Sequence, residues 1–207
     1  MIESLEIKIL RKIKLAKNNL LFSVDMFSKF GNAKAVSKAL ERLTKDEKLY
    51  RVATGFYILP KIHGDFGIIL PSIDEIAIAI AKRDKARVIP TGSYALYKLG
   101  LTTQVPMNVV YYSDTSARFV KVGKRSIKFK KASSRNLAFK GKISMLVVQA
   151  LRSLGKGNAT KEEIMHIKMI LQNENPSNFK HDLLLAPVWI RELLTDKKEK
   201  EKENGKL

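Results

Sequence analysis

The thirty residues GNAKAVSKALERLTKDEKLYRVATGFYILP, Gly31 to Pro60, decide how the first part of the chain is read. Ala33, Val36, Leu40 and Leu43 recur at three- and four-residue spacing, so they predict one buried face of a helix opened by Asn32 as N-cap. Lys34, Ser37, Lys38, Glu41 and Lys45 are left for the opposite face. After Lys48 the pattern changes to strand. Leu49 to Ala53, the turn Thr54-Gly55, and Phe56 to Leu59 read as a hairpin closed by Pro60. Gly31 is expected to stop a preceding short helix in a left-handed C-terminal cap, giving a tight turn between two crossing helices.

Upstream, Ile2, Leu5, Ile9, Ile13 and Ala16 predict a first helix to about Lys17, ended by Asn18-Asn19. Leu20-Leu21-Phe22 is long enough for one β-bridge. Ser23, with Asp25 in the first turn, is placed to cap a short helix through Phe30. Helix, short strand, short helix, turn, helix and hairpin is the order of a winged helix-turn-helix. That module lays the first half of its second crossing helix in the major groove. Asn32, Lys34, Ser37 and Lys38 are therefore the candidate DNA-binding residues there, since lysine and serine bond both base edges and phosphates. Arg51 and Thr54 on the hairpin would reach the DNA backbone or the minor groove. A small lobe with a solvated basic helix, serving protein contacts alone, fits the same pattern.

Downstream, residues 61–71 contain two glycines and a proline and read as a linker. Ser72-Ile73-Asp74-Glu75 is a capping box. The helix after it is apolar nearly all round (Ile73, Ile76, Ala77, Ile78, Ile80) and is expected to be central. Ala86 to Pro90 and Met107 to Tyr112 read as strands around a short helix from Gly92 to Leu101. Arg118 to Val122 and Ser126 to Lys130 form a hairpin about Gly123-Lys124. Ile143, Leu146, Val147, Ala150, Leu151 and Leu154 mark an amphipathic helix, and Thr160-Lys161-Glu162-Glu163 opens the next, to about Leu171. Asn175-Pro176 is expected to break the chain, and Pro187 to sit in the first turn of a last helix with Val188, Ile190, Leu193 and Leu194. The expected fold class is α+β: a winged helix-turn-helix over 1–60, a linker over 61–71, a mixed α/β domain over 72–195 and a charged tail over 196–207.

Composition narrows the function. The 207 residues hold 39 Lys and Arg against 20 Asp and Glu, net +19, and no cysteine. Disulfides, thiolate metal sites and cysteine nucleophiles are excluded. Met1-Ile2-Glu3-Ser4 does not open an apolar signal, and Phe66 to Ala81 is broken by Pro71, Asp74 and Glu75, so a cytoplasmic protein without a membrane partner is expected. Charge of this size points to a polyanion, most often nucleic acid. It is unevenly spread: net +6 over residues 1–60, +11 over 61–150 and +2 over 151–207. Between 118 and 135 lie Arg118, Lys121, Lys124, Arg125, Lys128, Lys130, Lys131 and Arg135 with no acid. Ile127 and Phe129 alternate with Lys128 and Lys130, which predicts a basic ribbon over an apolar underside. Arg118, Lys121, Lys124, Arg125, Lys128, Lys130 and Lys131 form a second basic surface, for DNA or for an acidic protein. Edge protection against aggregation is the plainer reading.

Other constellations are weak. Gly92-Ser93 followed by Asp114 invites a nucleotidyltransferase reading, but Asp114 is flanked at two residues by Tyr112 and Ser116, not by a second carboxylate. Gly92 is expected instead to start a helix packed tightly on a strand. His63, His166 and His181 are scattered without a ligand partner at i+4, so no metal site, cofactor or enzymatic activity is expected. Trp189, with Ile190 and Leu193 on the last helix, is expected in the core, with a partner-binding stripe as the alternative.

Four segments resemble the AbiEi family of antitoxins of type IV toxin–antitoxin systems: Asn32 to Leu43; Arg51-Val52-Ala53-Thr54-Gly55-Phe56-Tyr57; Ala79-Ile80-Ala81-Lys82-Arg83-Asp84; and Pro90-Thr91-Gly92-Ser93-Tyr94-Ala95-Leu96 with Leu99-Gly100-Leu101. The resemblance implies an N-terminal winged helix-turn-helix that represses its own operon at inverted repeats in double-stranded DNA. It also implies a C-terminal domain that counters a nucleotidyltransferase-like toxin, and a part in phage defence. Ala33 and Ala35 stand where members of that family can carry further basic residues. The alternatives are a basic RNA-binding protein, for which Phe119 and Phe129 would have to face outward, and an interaction module that binds only protein. Both phenylalanines are expected to point inward.

Overall fold

The computed structural model describes residues 3–16 and 21–195. The expected helix end at Asn18-Asn19 and the charged tail 196–207 lie outside the described residues. The fold mixes α and β, about half helical, with three small sheets. Its residues pack as two compact units. Those up to Ala86, with Val120–Ile127, form the first; Arg87–Phe119, with those from Lys128 onward, form the second.

In the first unit, helix α1 (Leu5–Leu15) starts where the Ser4 hydroxyl accepts the Ile7 N–H at 3.3 Å, and it buries Ile9 and Ile13. Strand β1 (Phe22–Ser23) leads into a 3-10 helix (Val24–Phe30), then helix α2 (Ala33–Lys45). Strands β2 (Tyr50–Ala53) and β3 (Phe56–Ile58) follow. β3 is the middle strand, antiparallel to both neighbours, with Tyr57 opposite Phe22 on one side and Arg51 on the other. Ile9, Phe27, Val36, Leu40, Leu43 and Leu49 close the core beneath these elements.

Two expectations fail locally. Gly31 does not adopt a left-handed cap; at φ 170° and ψ 177° it is extended backbone. Ala33 is exposed, and Ala39 takes its place among the buried residues of α2. The helix starts at the expected Asn32 cap, and its buried stripe begins only at Val36.

Residues 61–71, expected as a linker, hold a small antiparallel pair, β4 (Ile62–His63) and β5 (Gly67–Ile68), with Ile62 opposite Ile68. Helix α3 (Ile73–Arg83) opens on the expected capping box. The Ser72 hydroxyl accepts the Glu75 N–H at 3.2 Å, and the Glu75 carboxylate accepts the Ser72 N–H at 2.7 Å. Its expected all-round burial does not occur: Ile78 is 59% exposed, and only the face of Ile73, Ile76, Ala77, Ile80 and Ala81 is buried.

The second unit contains β6 (Val88–Thr91), α4 (Ser93–Lys98) and β7 (Asn108–Ser113), and β8 (Arg118–Val122) and β9 (Arg125–Lys131) are divided between the two units. The helices α5 (Ser134–Leu137), α6 (Lys142–Leu154), α7 (Lys161–Leu171), α8 (Pro176–Leu185) and α9 (Val188–Leu194) follow. The sheet order is β6-β7-β9-β8, and β6 runs antiparallel to β7 with Ile89 opposite Tyr112. The outer part of the β8–β9 hairpin, 120–127, is counted with the first unit. Helix α6 is the most buried helix here: Val147, Val148, Ala150 and Leu151 join Ile89, Ile167 and Ile190 in one cluster, with Trp189 packed partly buried against it.

Asn175-Pro176 breaks the chain between α7 and α8 as expected, and it also starts α8, a helix that the apolar spacing did not reveal. The Asn175 side chain accepts the N–H groups of Ser177 and Asn178 at 3.0 and 3.1 Å, and Pro176 occupies the first turn, where its missing N–H costs nothing.

Candidate nucleic-acid interface

Helix α2 is amphipathic because its apolar positions fall on one stripe, and that leaves Lys34 and Lys38 exposed and Ser37 half-buried in its first half. Neither lysine makes an ion pair among the described residues. Asn32 is already committed: its side-chain oxygen accepts the Ala35 N–H at 2.9 Å, so only its amide NH2 is left to meet a ligand. Arg42, further along, bonds Glu6 of α1 at 2.8 Å and ties the two helices together. On the hairpin, Arg51 and Thr54 are exposed. The turn relies on Gly55 at φ +76°, and the Arg83 guanidinium covers the Phe56 ring at 4.7 Å. Beneath them Tyr57 is buried, which pushes its phenol above the ordinary range.

On the β8–β9 hairpin, Ile127 and Phe129 are buried while Lys128 and Lys130 are exposed, as the alternation predicts. Lys121, Lys124 and Lys131 are exposed too. Arg118 and Arg125 are partly buried and engaged; the Arg118 guanidinium lies over the Phe129 ring at 4.9 Å. The surface set is therefore lysine. Phe119 overturns its expectation: it is 66% exposed. The strand alternation that buries Val122 puts Phe119 and Lys121 on the opposite face of β8. Lys121, Lys124 and Arg125 count with the first unit; Arg118, Phe119, Lys128, Lys130 and Lys131 with the second.

The rejected chemistries have structural roles. One oxygen of Asp114 accepts the Arg87 N–H at 2.9 Å, clamping the start of β6 to the end of β7. Gly92 is needed for its backbone, at φ +65°, not for tight packing: nothing lies within 4 Å of where a Cβ would stand. His166 meets the Leu99 carbonyl at 2.9 Å and His181 meets Asp182 at 2.9 Å. Among the described residues no group of three or more His, Cys, Asp or Glu could hold a metal ion, and no helix is long and apolar enough to cross a membrane.

Two polar constructions stand at α6. At its N-terminus, the fully buried Asp182 accepts the N–H groups of Lys140 and Gly141 at 2.8 Å each, and the Ser144 hydroxyl at 2.5 Å. Glu174 accepts the Ile143 and Ser144 N–H groups at 2.7 and 3.0 Å. Burial pushes both carboxyls up, but these bonds outweigh it and hold both below the usual carboxylate range. A Cβ on Gly141 would stand 2.2 Å from the Ser144 hydroxyl and 2.4 Å from the Glu174 carboxylate, so a larger residue there would have to displace the side chains that serve the start of α6. At the other end of α6, Thr91, Gly92, Tyr112, Lys130, Gln149 and Arg152 line a cavity of about 240 Å³.

The model of DUF6088, a family of unknown function, matches residues 8–179. The chain belongs to this family. Among solved structures, the DUF6088 chain is similar to the RV2827C protein from Mycobacterium tuberculosis, with 11% identity and a TM-score of 0.47 over 94% of this chain and 82% of that one. No curated protein matches it.

In this DUF6088 member the sequence pattern located the exposed lysines of both surfaces but not the α6 constructions. Their partners lie far apart in the chain: 41 residues between Gly141 and Asp182, and 58 between Thr91 and Gln149. The available signal was compositional. Gln149 interrupts the apolar stretch Met145 to Leu151, and a buried amide there needs a partner or a ligand.

Proposed function

We propose that the DUF6088 chain is a DNA-binding transcriptional autorepressor and the antitoxin of a type IV toxin–antitoxin system, countering a nucleotidyltransferase-like toxin. The observation that carries the DNA-binding half is the β1-β3-β2 sheet joined to α2, with Lys34, Ser37 and Lys38 outward on the helix and Arg51 and Thr54 on the hairpin. A winged helix-turn-helix orders its strands this way because the first short strand must pair with the returning arm of the wing. The antitoxin half rests on the resemblance of Ala79 to Asp84 and Pro90 to Leu101 to AbiEi proteins. In this reading phosphate contacts supply most of the affinity and the first half of α2 selects the sequence.

The test is a gel-shift titration on the DNA upstream of the chain's own gene. Lys34→Ala with Lys38→Ala is expected to weaken binding at least about tenfold, since each phosphate or base contact contributes on the order of 1 kcal/mol or more. Wild-type affinity is expected to fall at least about tenfold between low and physiological salt. Unchanged binding by the double variant overturns the recognition-helix reading, and salt-independent binding overturns the phosphate account.

One observation favours a second reading for the ribbon. An exposed Phe119 on a strand beside the exposed Lys128 and Lys130 is the combination that single-stranded nucleic acid uses, a base stacking on the ring while the lysines follow the backbone. Under that reading Phe119→Ala weakens single-stranded RNA binding about tenfold or more and leaves duplex binding unchanged.

A further inference from the structure

The cavity at the C-terminal half of α6 has a donor set that none of the preceding functions uses. Lys130 and Arg152 bring two cations to its wall, and no carboxylate among the described residues lines it. Neither cation makes an ion pair among the described residues. Arg152 is half-buried, and its guanidinium meets only neutral acceptors at long range: the Asn136 side chain at 3.3 Å and the Leu185 carbonyl at 3.5 Å. A guanidinium taken out of water without an anion is costly, so an anion in reach would restore what burial removes. Gln149 adds a second and independent observation. It is 1% exposed, its oxygen accepts the Thr91 hydroxyl at 3.2 Å, and its amide nitrogen has no acceptor among the described residues. Buried donors are nearly always bonded, so this nitrogen calls for an oxygen from outside the chain.

The ligand class follows from these groups. Two cations and an amide donor ask for a compact anion with several oxygens, while the Thr91 hydroxyl, donated to the Gln149 oxygen, fixes which end of the amide faces the cavity. The volume of about 240 Å³ is below the range usual for drug-sized or dinucleotide ligands. Half-buried Tyr112 gives one aromatic side to the wall. Guanidinium and ammonium groups converging without acids is the arrangement that recognises phosphate.

We propose that this cavity binds a phosphoryl group, as a phosphate monoester or as the phosphodiester of a nucleic-acid strand, through Lys130, Arg152 and the Gln149 amide. The site lies within the second unit and is independent of the recognition helix. Lys130 also belongs to the exposed face of β9, so a strand following the β9 lysines would deliver one of its phosphates here. A free monoester would reach the same groups.

The test uses the full-length, 15N-labelled chain and follows the Gln149 side-chain amide by NMR. Inorganic phosphate is titrated against potassium chloride at matched ionic strength, then adenosine monophosphate, then a short DNA duplex. Phosphate is expected to shift the Gln149 amide saturably and chloride not at all. Lys130→Gln is expected to weaken phosphate binding about tenfold or more, the usual worth of a charge-assisted bond. Thr91→Val with Gln149→Leu removes both buried polar groups at matched volume. It is expected to keep the fold and to abolish the phosphate-induced rise in melting temperature. A stronger response to the monophosphate than to DNA assigns a free ester; displacement of phosphate by DNA assigns the phosphodiester. Equal shifts with chloride, no shift with any of the three phosphates, or phosphate binding undiminished in both variants overturns the proposal. The Lys34→Ala, Lys38→Ala protein must bind phosphate like the wild type, which separates a failure here from a failure of the DNA reading.

Discussion

The N-terminal lobe and the surroundings of α6 treat polar groups in opposite ways. In the lobe, helix starts are satisfied from three residues away: Ser4 serves Ile7 and Asn32 serves Ala35. At α6 they are satisfied from 30 to 42 residues away by Glu174 and Asp182. The lobe keeps Lys34, Lys38 and Arg51 in water, whereas the second unit takes Asp182, Gln149 and part of Arg152 out of it. A polar group bonded locally can be lost without disturbing a distant element. A polar group that joins distant segments cannot. Loss of a cap in the lobe therefore acts on its own helix start, whereas loss of Glu174 or Asp182 uncouples the start of α6 from the distant segments that carry them.

The largest effect should come from Asp182→Ala. It leaves the N–H groups of Lys140 and Gly141 and the Ser144 hydroxyl without their acceptor inside the protein. Each unsatisfied buried donor costs about 1–3 kcal/mol, so a loss of about 3–5 kcal/mol is expected in urea unfolding. The contrast between the two regions breaks if the variant loses less than about 1 kcal/mol, because the network would then be no stronger than a surface cap.

Acid provides a second and graded test. Both Glu174 and Asp182 have folded-state pKa values below their ordinary ones. Such groups stabilise the fold fully above the unfolded carboxylate pKa of about 4, and the contribution disappears as pH falls through the folded values. Stability measured by urea titration should decline as pH drops below about 4. Asp182→Asn with Glu174→Gln should flatten that decline while lowering stability at neutral pH. The same acid-dependent slope in the double variant would place the responsible carboxylates elsewhere.

The same division explains what could be read from the residues alone. The order of elements in the lobe was legible because it depends on local spacing: the apolar stripe of α2, the Asn32 cap and the Thr54-Gly55 turn all lie within thirty residues. So were the capping box at Ser72 and the alternation of Ile127, Lys128, Phe129 and Lys130. Phe119 was misplaced because β8 is an edge strand of the sheet, and only its neighbour β9 reveals which face of the pair is wet. The break at Asn175-Pro176 was legible, but helix α8 after it was not, because a pair that interrupts the chain also caps a helix. The phosphoryl cavity was not legible at all. Thr91, Lys130 and Arg152 meet only after β6, β9 and α6 have packed, and no spacing rule relates them.

The smallest effects fall on the lobe, and they separate folding from recognition within a single helix. Asn32→Ala removes the oxygen that accepts the Ala35 N–H, and a lost N-cap costs about 1 kcal/mol. Lys34→Ala with Lys38→Ala removes two exposed cations without ion pairs, and such changes stay within about 0.5 kcal/mol. Thermal unfolding of both variants, beside their DNA titrations, gives two orderings of the same pair. In stability Asn32→Ala should be the worse. In DNA binding the lysine variant should be the worse, because the Asn32 oxygen faces its own backbone while the lysines face solvent. If Asn32→Ala harms DNA binding as much as the lysine variant at equal stability, the N-cap amide itself contacts DNA, and the start of α2 belongs to the interface as well as to the fold.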